Sequence, residues 1–182
     1  LRVELTINRS TTLAEMLNDK TLDIALMVET EELKPQIRVH PLAYCRMAWF
    51  GRHDGHRSRQ LSAADLQDHR ILTLPVHSPL HTLMVQWFEA AHHPLPPVST
   101  CNSLAIIMRL ISSGHAWSIL PECFTFASET RVQPEPLMVV PELPMLKLCV
   151  AYQTENGVDT LLPVVDLVRE ILMRKPGILP LE

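Results

Sequence analysis

A capped amphipathic helix that runs without a linker into a buried strand constrains this chain more than any other stretch. Leu104, Ile107, Met108 and Ile111 recur at i, i+3, i+4 and i+7, one stripe of an α-helix. Asn102 and Ser103 stand just before the stripe, and both residue types accept from the free N–H groups of a first turn. Gly114 follows it, where a helix stops by entering the left-handed conformation that glycine alone adopts without steric cost. Trp117–Leu120 is then a short apolar run ended by Pro121. A helix feeding straight back into a sheet implies an α/β chain, with the helix offering its positive N-terminal end to the sheet's edge.

The rest of the sequence repeats that grammar. Val3, Leu5 and Ile7 alternate with polar residues and predict an opening strand, after which Ser10 is placed to cap a helix facing inward with Leu13, Met16 and Leu17. The near-continuous apolar run Leu22–Val28 predicts a parallel strand covered on both sides, making a strand–helix–strand crossover. Beyond the acidic turn 29–32, strands are expected at Ile37–Val39 and at Tyr44–Phe50, the latter leaving the first lobe. Ser62-Ala63-Ala64-Asp65 resembles a capping box with Asp in place of Glu. A strand at Arg70–Leu74 and a tight loop at Pro75–Pro79 lead to a helix whose broad face is Leu80, Leu83, Met84, Trp87, Phe88 and Ala91. A strand near Val98–Cys101 enters the organising helix. Past Pro121 come a weakly patterned helix to about 128, an edge strand at Leu137–Val140 and a strand at Leu146–Tyr152. The last helix, Val158–Arg174, turns Leu161, Val164, Val165, Val168, Ile171 and Leu172 inward and stops at Pro176-Gly177.

This order implies two lobes with mixed sheets. Residues 1–49 and 147–182 make a discontinuous lobe I, residues 50–146 a continuous lobe II, and two crossing strands join them. Sheets of this kind bind ligands in a cleft beyond the strand ends. The rim is expected at three strand-to-helix turns, around Ser10, Ser78 and Asn102-Ser103.

Composition narrows the class. At 182 residues, 47% hydrophobic and 20% charged, the chain has enough apolar surface for one domain or two small lobes. A formal net charge of −4 argues against this stretch binding DNA or an anionic membrane by bulk electrostatics. No apolar run reaches the roughly 20 residues that span a bilayer. Leu1–Glu4 has no signal-peptide anatomy, and the absence of Met at position 1 leaves the true N-terminus open. Cys45, Cys101, Cys123 and Cys149 show no C-x-x-C spacing and stand among apolar residues, which suits reduced core thiols of a cytosolic protein.

With these motifs in place, the chain resembles the effector-binding (regulatory) domain of LysR-type transcriptional regulators, a two-lobe fold like that of type II periplasmic binding proteins. The matching stretches are Val3-Glu4-Leu5 to Ser10, Leu22–Leu26, Leu61–Leu72 and Ser103–Pro121, in this order over most of the chain. Gly114-His115-Ala116 departs from the family's usual Gly-x-Gly, so Ala116 fits only if its backbone avoids positive φ. The resemblance also implies that the family's first strand and helix of lobe I, its linker helix and its winged helix-turn-helix are missing ahead of Leu1. It implies a cytoplasmic regulator, dimeric or tetrameric, that senses a small polar or anionic effector in the interlobe cleft and acts allosterically. Operator DNA would be met only through the missing N-terminal domain; no membrane partner and no cofactor are implied. Positions matching the family's pocket are Ser10, Thr11, Ser78, Asn102 and Ser103.

Other chemistries find less support. Ser10, Ser78 and Ser103 are also explained as plain helix caps. His77 and His81 stand four apart, with His92 and His93 further on, but no third ligand is identifiable, so no metal is expected. There is no Gly-x-Ser-x-Gly elbow, no HExxH and no paired carboxylate, so no catalytic residues are assigned. Trp87, Phe88 and Trp117 suit a core. An enzyme for a small substrate and a solute-binding protein on the same scaffold remain the alternatives.

Overall fold

The computed structural model describes residues 4–52, 60–124, 134–153 and 158–181. The chain divides into two compact units, one formed by residues 1–44, 146–175 and 179–182, the other by residues 45–145 and 176–178.

In the first unit, helix α1 (Ser10–Asn18) buries Leu13, Ala14 and Leu17 against strand β1 (Ile24–Val28). β1 pairs antiparallel with β10 (Leu146–Gln153), Leu26 opposite Val150. The sheet order is β1-β10-β2-β11, with β2 at Ile37–Cys45 and β11 at Ile178–Leu179. Two expectations fail here. Residues 4–9 form no strand, because alternation makes an extended segment but only a ladder partner makes a strand; Leu5 and Ile7 stand 81% and 88% exposed. β1 lies at the sheet edge and its neighbour runs antiparallel, so the expected parallel crossover is not formed among the described residues.

Helix α1 ends in a Schellman closure. Lys20 takes the left-handed conformation (φ 59°), its N–H donates to Leu17 O, and the N–H of Thr21 donates to Met16 O. The Asn18 side chain then clasps the following loop, donating to Glu32 O and accepting from the Lys34 N–H. Glu29, in the acidic turn, is paired with Lys147 at 2.8 Å. Helix α4 (Val158–Met173) buries Val165, but Val164 and Ile171, expected inward, are 38% and 49% exposed, with Leu167 beside them at 56%. An apolar stripe shows that a helix has a partner face without saying that the partner lies in the same chain. Arg169 reaches His40 Nε2 at 2.8 Å, and since a guanidinium only donates, that nitrogen is the acceptor.

In the second unit, β3 (Met47–Phe50), buried at every position, pairs antiparallel with β7 (Ser118–Pro121) and with β8 (Pro136–Leu137). β4 (Leu61–Ser62) runs parallel to β9 (Val139–Val140), so the expected edge strand 137–140 is two short pairings. β5 (Ile71–Thr73) runs parallel to β6 (Val98–Thr100), and a single bridge, Ile71 to Trp117, joins it to the segment entering β7. The capping box at Ser62 is half-formed: Asp65 accepts from the Ser62 N–H (2.8 Å) and also from its hydroxyl (2.6 Å), starting a 3-10 turn at Ala64–Leu66. Helix α2 (Pro79–Ala90) buries Leu80, Leu83, Met84, Trp87 and Phe88, and the two aromatics meet Trp49 edge-on. Helix α3 (Leu104–Ser112) buries Ile107 and Ile111. It closes as expected at Gly114 (φ 77°), with Gly114 N–H to Ile111 O and His115 N–H to Leu110 O. Ala116 is absent from the positive-φ residues, so it fills its place without strain. The helical stretch expected between Pro121 and residue 128 lies largely outside the described residues.

Candidate functional site

Parallel pairing of β5 with β6 sends two strands the same way, and each runs into a helix. Thr73 and Thr100 are opposite one another at the carboxyl end, and the next N–H, of Cys101, donates back to Thr73 O at 2.9 Å. From that shared edge one connection reaches Ser78 and the other reaches Ser103. Each serine is the N-cap of its helix. Ser78 Oγ accepts from the His81 N–H (3.2 Å) and Ser103 Oγ from the Ile106 N–H (3.4 Å).

The two turns are built differently. Before α2, Pro75 O accepts from the Ser78 N–H (3.1 Å) and His77 adopts φ 69°, so the chain folds tightly and fully buries Ser78. Pro79 at N1 has no N–H to satisfy. Before α3, Asn102 is exposed and Ser103 half-buried in an extended conformation. In both helices the cap takes one first-turn N–H group, leaving the end electropositive. Thr73 adds a third feature: its Oγ1 is buried and has no hydrogen-bond partner among the described residues. A buried hydroxyl without a partner is costly, and it stands on the strand that ends at this edge.

Ser78, Asn102 and Ser103 therefore lie on the two connections that leave one sheet edge. Ser10 and Thr11 belong to the other unit. Ser10 is not a cap: it is the first helical residue, after an extended Arg9 that makes no side-chain cap. Its hydroxyl accepts instead from the Val28 N–H at 3.1 Å, tying α1 to the end of β1; Thr11 is half-buried. Thr73 was missed by the sequence reading; the one signal was a hydroxyl inside the apolar run Ile71-Leu72-Thr73-Leu74. Among the described residues no three His, Cys, Asp or Glu side chains gather as a metal site.

The family model described as the LysR substrate binding domain matches residues 1–172. The chain belongs to that family. Solved LysR-family structures carry the same fold. HinK, a LysR family transcriptional regulator from Pseudomonas aeruginosa, superposes with a TM-score of 0.73 at 19% identity, over 91% of this chain and 58% of that one. The regulatory domain of Synechocystis CcmR, solved in complex with 2-PG, gives a TM-score of 0.73 at 14% identity, covering 90% and 80%. A reduced form of OxyR from N. meningitidis gives 0.69 at 16%, covering 96% and 82%. No curated protein matches the chain in sequence. This LysR substrate-binding domain spans about half the length of some regulators it matches, 52% of a Corynebacterium glutamicum OxyR mutant for instance. The fold is thus the two-lobe, periplasmic-binding-protein-like one. Within the described residues no helix is long and apolar enough to cross a membrane.

Proposed function

We propose that this LysR substrate-binding domain senses a small polar or anionic effector and that the larger regulator carrying it transmits the signal to operator DNA through a separate N-terminal domain. The observation that carries the effector reading is the shared carboxyl end of β5 and β6: each strand leads into a helix capped by a serine, and Thr73, the last residue of β5, has a buried hydroxyl without a partner among the described residues. Backbone N–H groups at helix starts suit carboxylate or phosphate oxygens, and a hydroxyl can donate or accept beside them. Ser78, Asn102 and Ser103 supply the grip at that edge. The similar regulatory domain of CcmR holds 2-PG, which supports a small guest.

The domain performs no chemistry on its guest in this reading; binding shifts a conformational equilibrium. The assembly is a homo-oligomer working in the cytoplasm. The exposed stripe Val164, Leu167 and Ile171 on α4 supports self-association, because an apolar helix face left open in one copy is covered in another.

A thermal-shift screen of small carboxylic and phosphate-bearing metabolites on the intact protein, followed by calorimetry of each hit, tests this. Ser103→Ala is expected to weaken effector binding at least about tenfold, roughly 1.4 kcal/mol, while lowering stability by no more than the ~1 kcal/mol of a lost cap. Unchanged affinity in Ser103→Ala and Ser78→Ala alike would place the effector elsewhere.

A further inference from the structure

Cys45 and Cys123 are 78 positions apart in sequence, yet their sulfurs lie 3.9 Å from each other. The end of the β3–β7 ladder explains the meeting. Met47 pairs with Pro121, and the Glu122 N–H still donates to Arg46 O at 3.0 Å. There the ladder stops: the Arg46 N–H donates to Gly177 O instead, and the Phe124 N–H closes a turn onto Pro121 O at 3.1 Å. Cys123 stands in that turn, beside the Arg46–Glu122 bond, and its sulfur meets that of Cys45.

We propose that Cys45 and Cys123 are a redox pair that closes to a reversible disulfide at the end of this ladder. Drawing the sulfurs together to the bonded ~2.05 Å takes a side-chain movement of about 1 Å at each, without a shift of register. Both cysteines belong to the second unit, and Cys45 is its first residue, where the chain has just left the first. The bond would therefore staple the crossing strand to the exit of β7.

The roles of the two sulfurs follow from their surroundings. Cys123 is partly exposed and meets the oxidant, a hydroperoxide. Its thiolate attacks the peroxide's outer oxygen, the O–O bond breaks, and an alcohol or water leaves with Cys123 as a sulfenic acid. Cys45 is buried and holds its proton: the hydrogen bond shared with Cys123, then burial, push its thiol pKa far up. It becomes the resolving group, attacking the Cys123 sulfur as its proton passes to the departing oxygen, so that the S–S bond forms and water leaves. A small thiol reverses the step by thiol–disulfide exchange, itself becoming oxidised.

The test is to treat the reduced, intact protein with hydrogen peroxide, block remaining thiols with N-ethylmaleimide, digest without reductant and map the peptides by mass spectrometry. A cross-linked peptide joining residues 45 and 123, lost on adding dithiothreitol and still formed in Cys101→Ala, is the expected result. In Cys45→Ala the resolving step is gone, and Cys123 should accumulate as a dimedone-trapped sulfenic acid. Recovery of both cysteines as alkylated thiols in the wild-type protein, or joining of either one to a different cysteine, would overturn the proposal; neither readout depends on a variant folding.

Discussion

Trp87 donates its indole N–H to the carbonyl of Pro141 at 2.6 Å, whereas Trp49, packed edge-on against it with ring centroids 5.4 Å apart, has a buried N–H without a partner among the described residues. Two indoles of one cluster therefore carry different polar burdens. Replacing Trp87 by Phe loses ring volume and also strands the Pro141 carbonyl. Replacing Trp49 by Phe loses the same volume but removes a group that was costing desolvation. Urea denaturation should show Trp87→Phe destabilising by about 1 kcal/mol more than Trp49→Phe. Equal losses would mean that the Pro141 bond contributes nothing.

Gly51 lies flat against Trp117: a Cβ added there would come within 2.3 Å of the indole Cδ2. That ring cannot slide away freely, because its other contacts include His69, stacked at 3.9 Å between centroids. Gly51→Ala is therefore expected to cost about 1–3 kcal/mol, the range for overpacking a tight site, read as a lowered Tm. Fluorescence of Trp117 should shift with it if the indole is what moves.

Much of the fold was legible because burial is periodic. The stripes of α2 and α3, the caps at Ser78 and Ser103 and the stop at Gly114 are local rules that the surrounding structure leaves intact. What the sequence withheld depends on partners. Leu5 and Ile7 alternate as a strand should, yet a strand needs a neighbour, and none stands beside them among the described residues. The α4 periodicity was real while the burial of Val164 and Ile171 was not. Ser10 has a capping residue's chemistry, but its hydroxyl serves Val28. The meeting of Cys45 with Cys123 rests on a strand register, which no local pattern encodes.

Cys149 offers a test of linkage. Burial pushes its thiol from 9.0 up to about 11, with Glu29 adding to the rise and Lys147 opposing it. In the unfolded chain the thiol ionises first, so between about pH 9 and pH 11 the unfolded state binds fewer protons than the folded one, and stability falls as pH rises through that window. Below it the contribution is fully present. Chemical denaturation from pH 8 upward should show a steeper alkaline loss in the wild-type protein than in Cys149→Ala, whatever the offset between them at pH 8. Parallel curves would place Cys149 in contact with solvent.

Three helices share one C-terminal device but not one residue type. α3 closes on Gly114, whereas α1 closes on Lys20 (φ 59°) and α2 on His92 (φ 52°). At His92 the pattern is complete: its N–H donates to Glu89 O at 2.9 Å and that of His93 to Phe88 O at 3.0 Å. The left-handed conformation strains any residue with a Cβ by roughly 1–2 kcal/mol, and glycine escapes that strain while losing more backbone freedom on folding. His92 is exposed, so little packing is lost with its side chain. The conformational gain should win. His92→Gly is expected to raise stability by about 0.5–1 kcal/mol. A loss of stability in that variant, measured by urea titration, would show that the side chain there holds more than the turn requires.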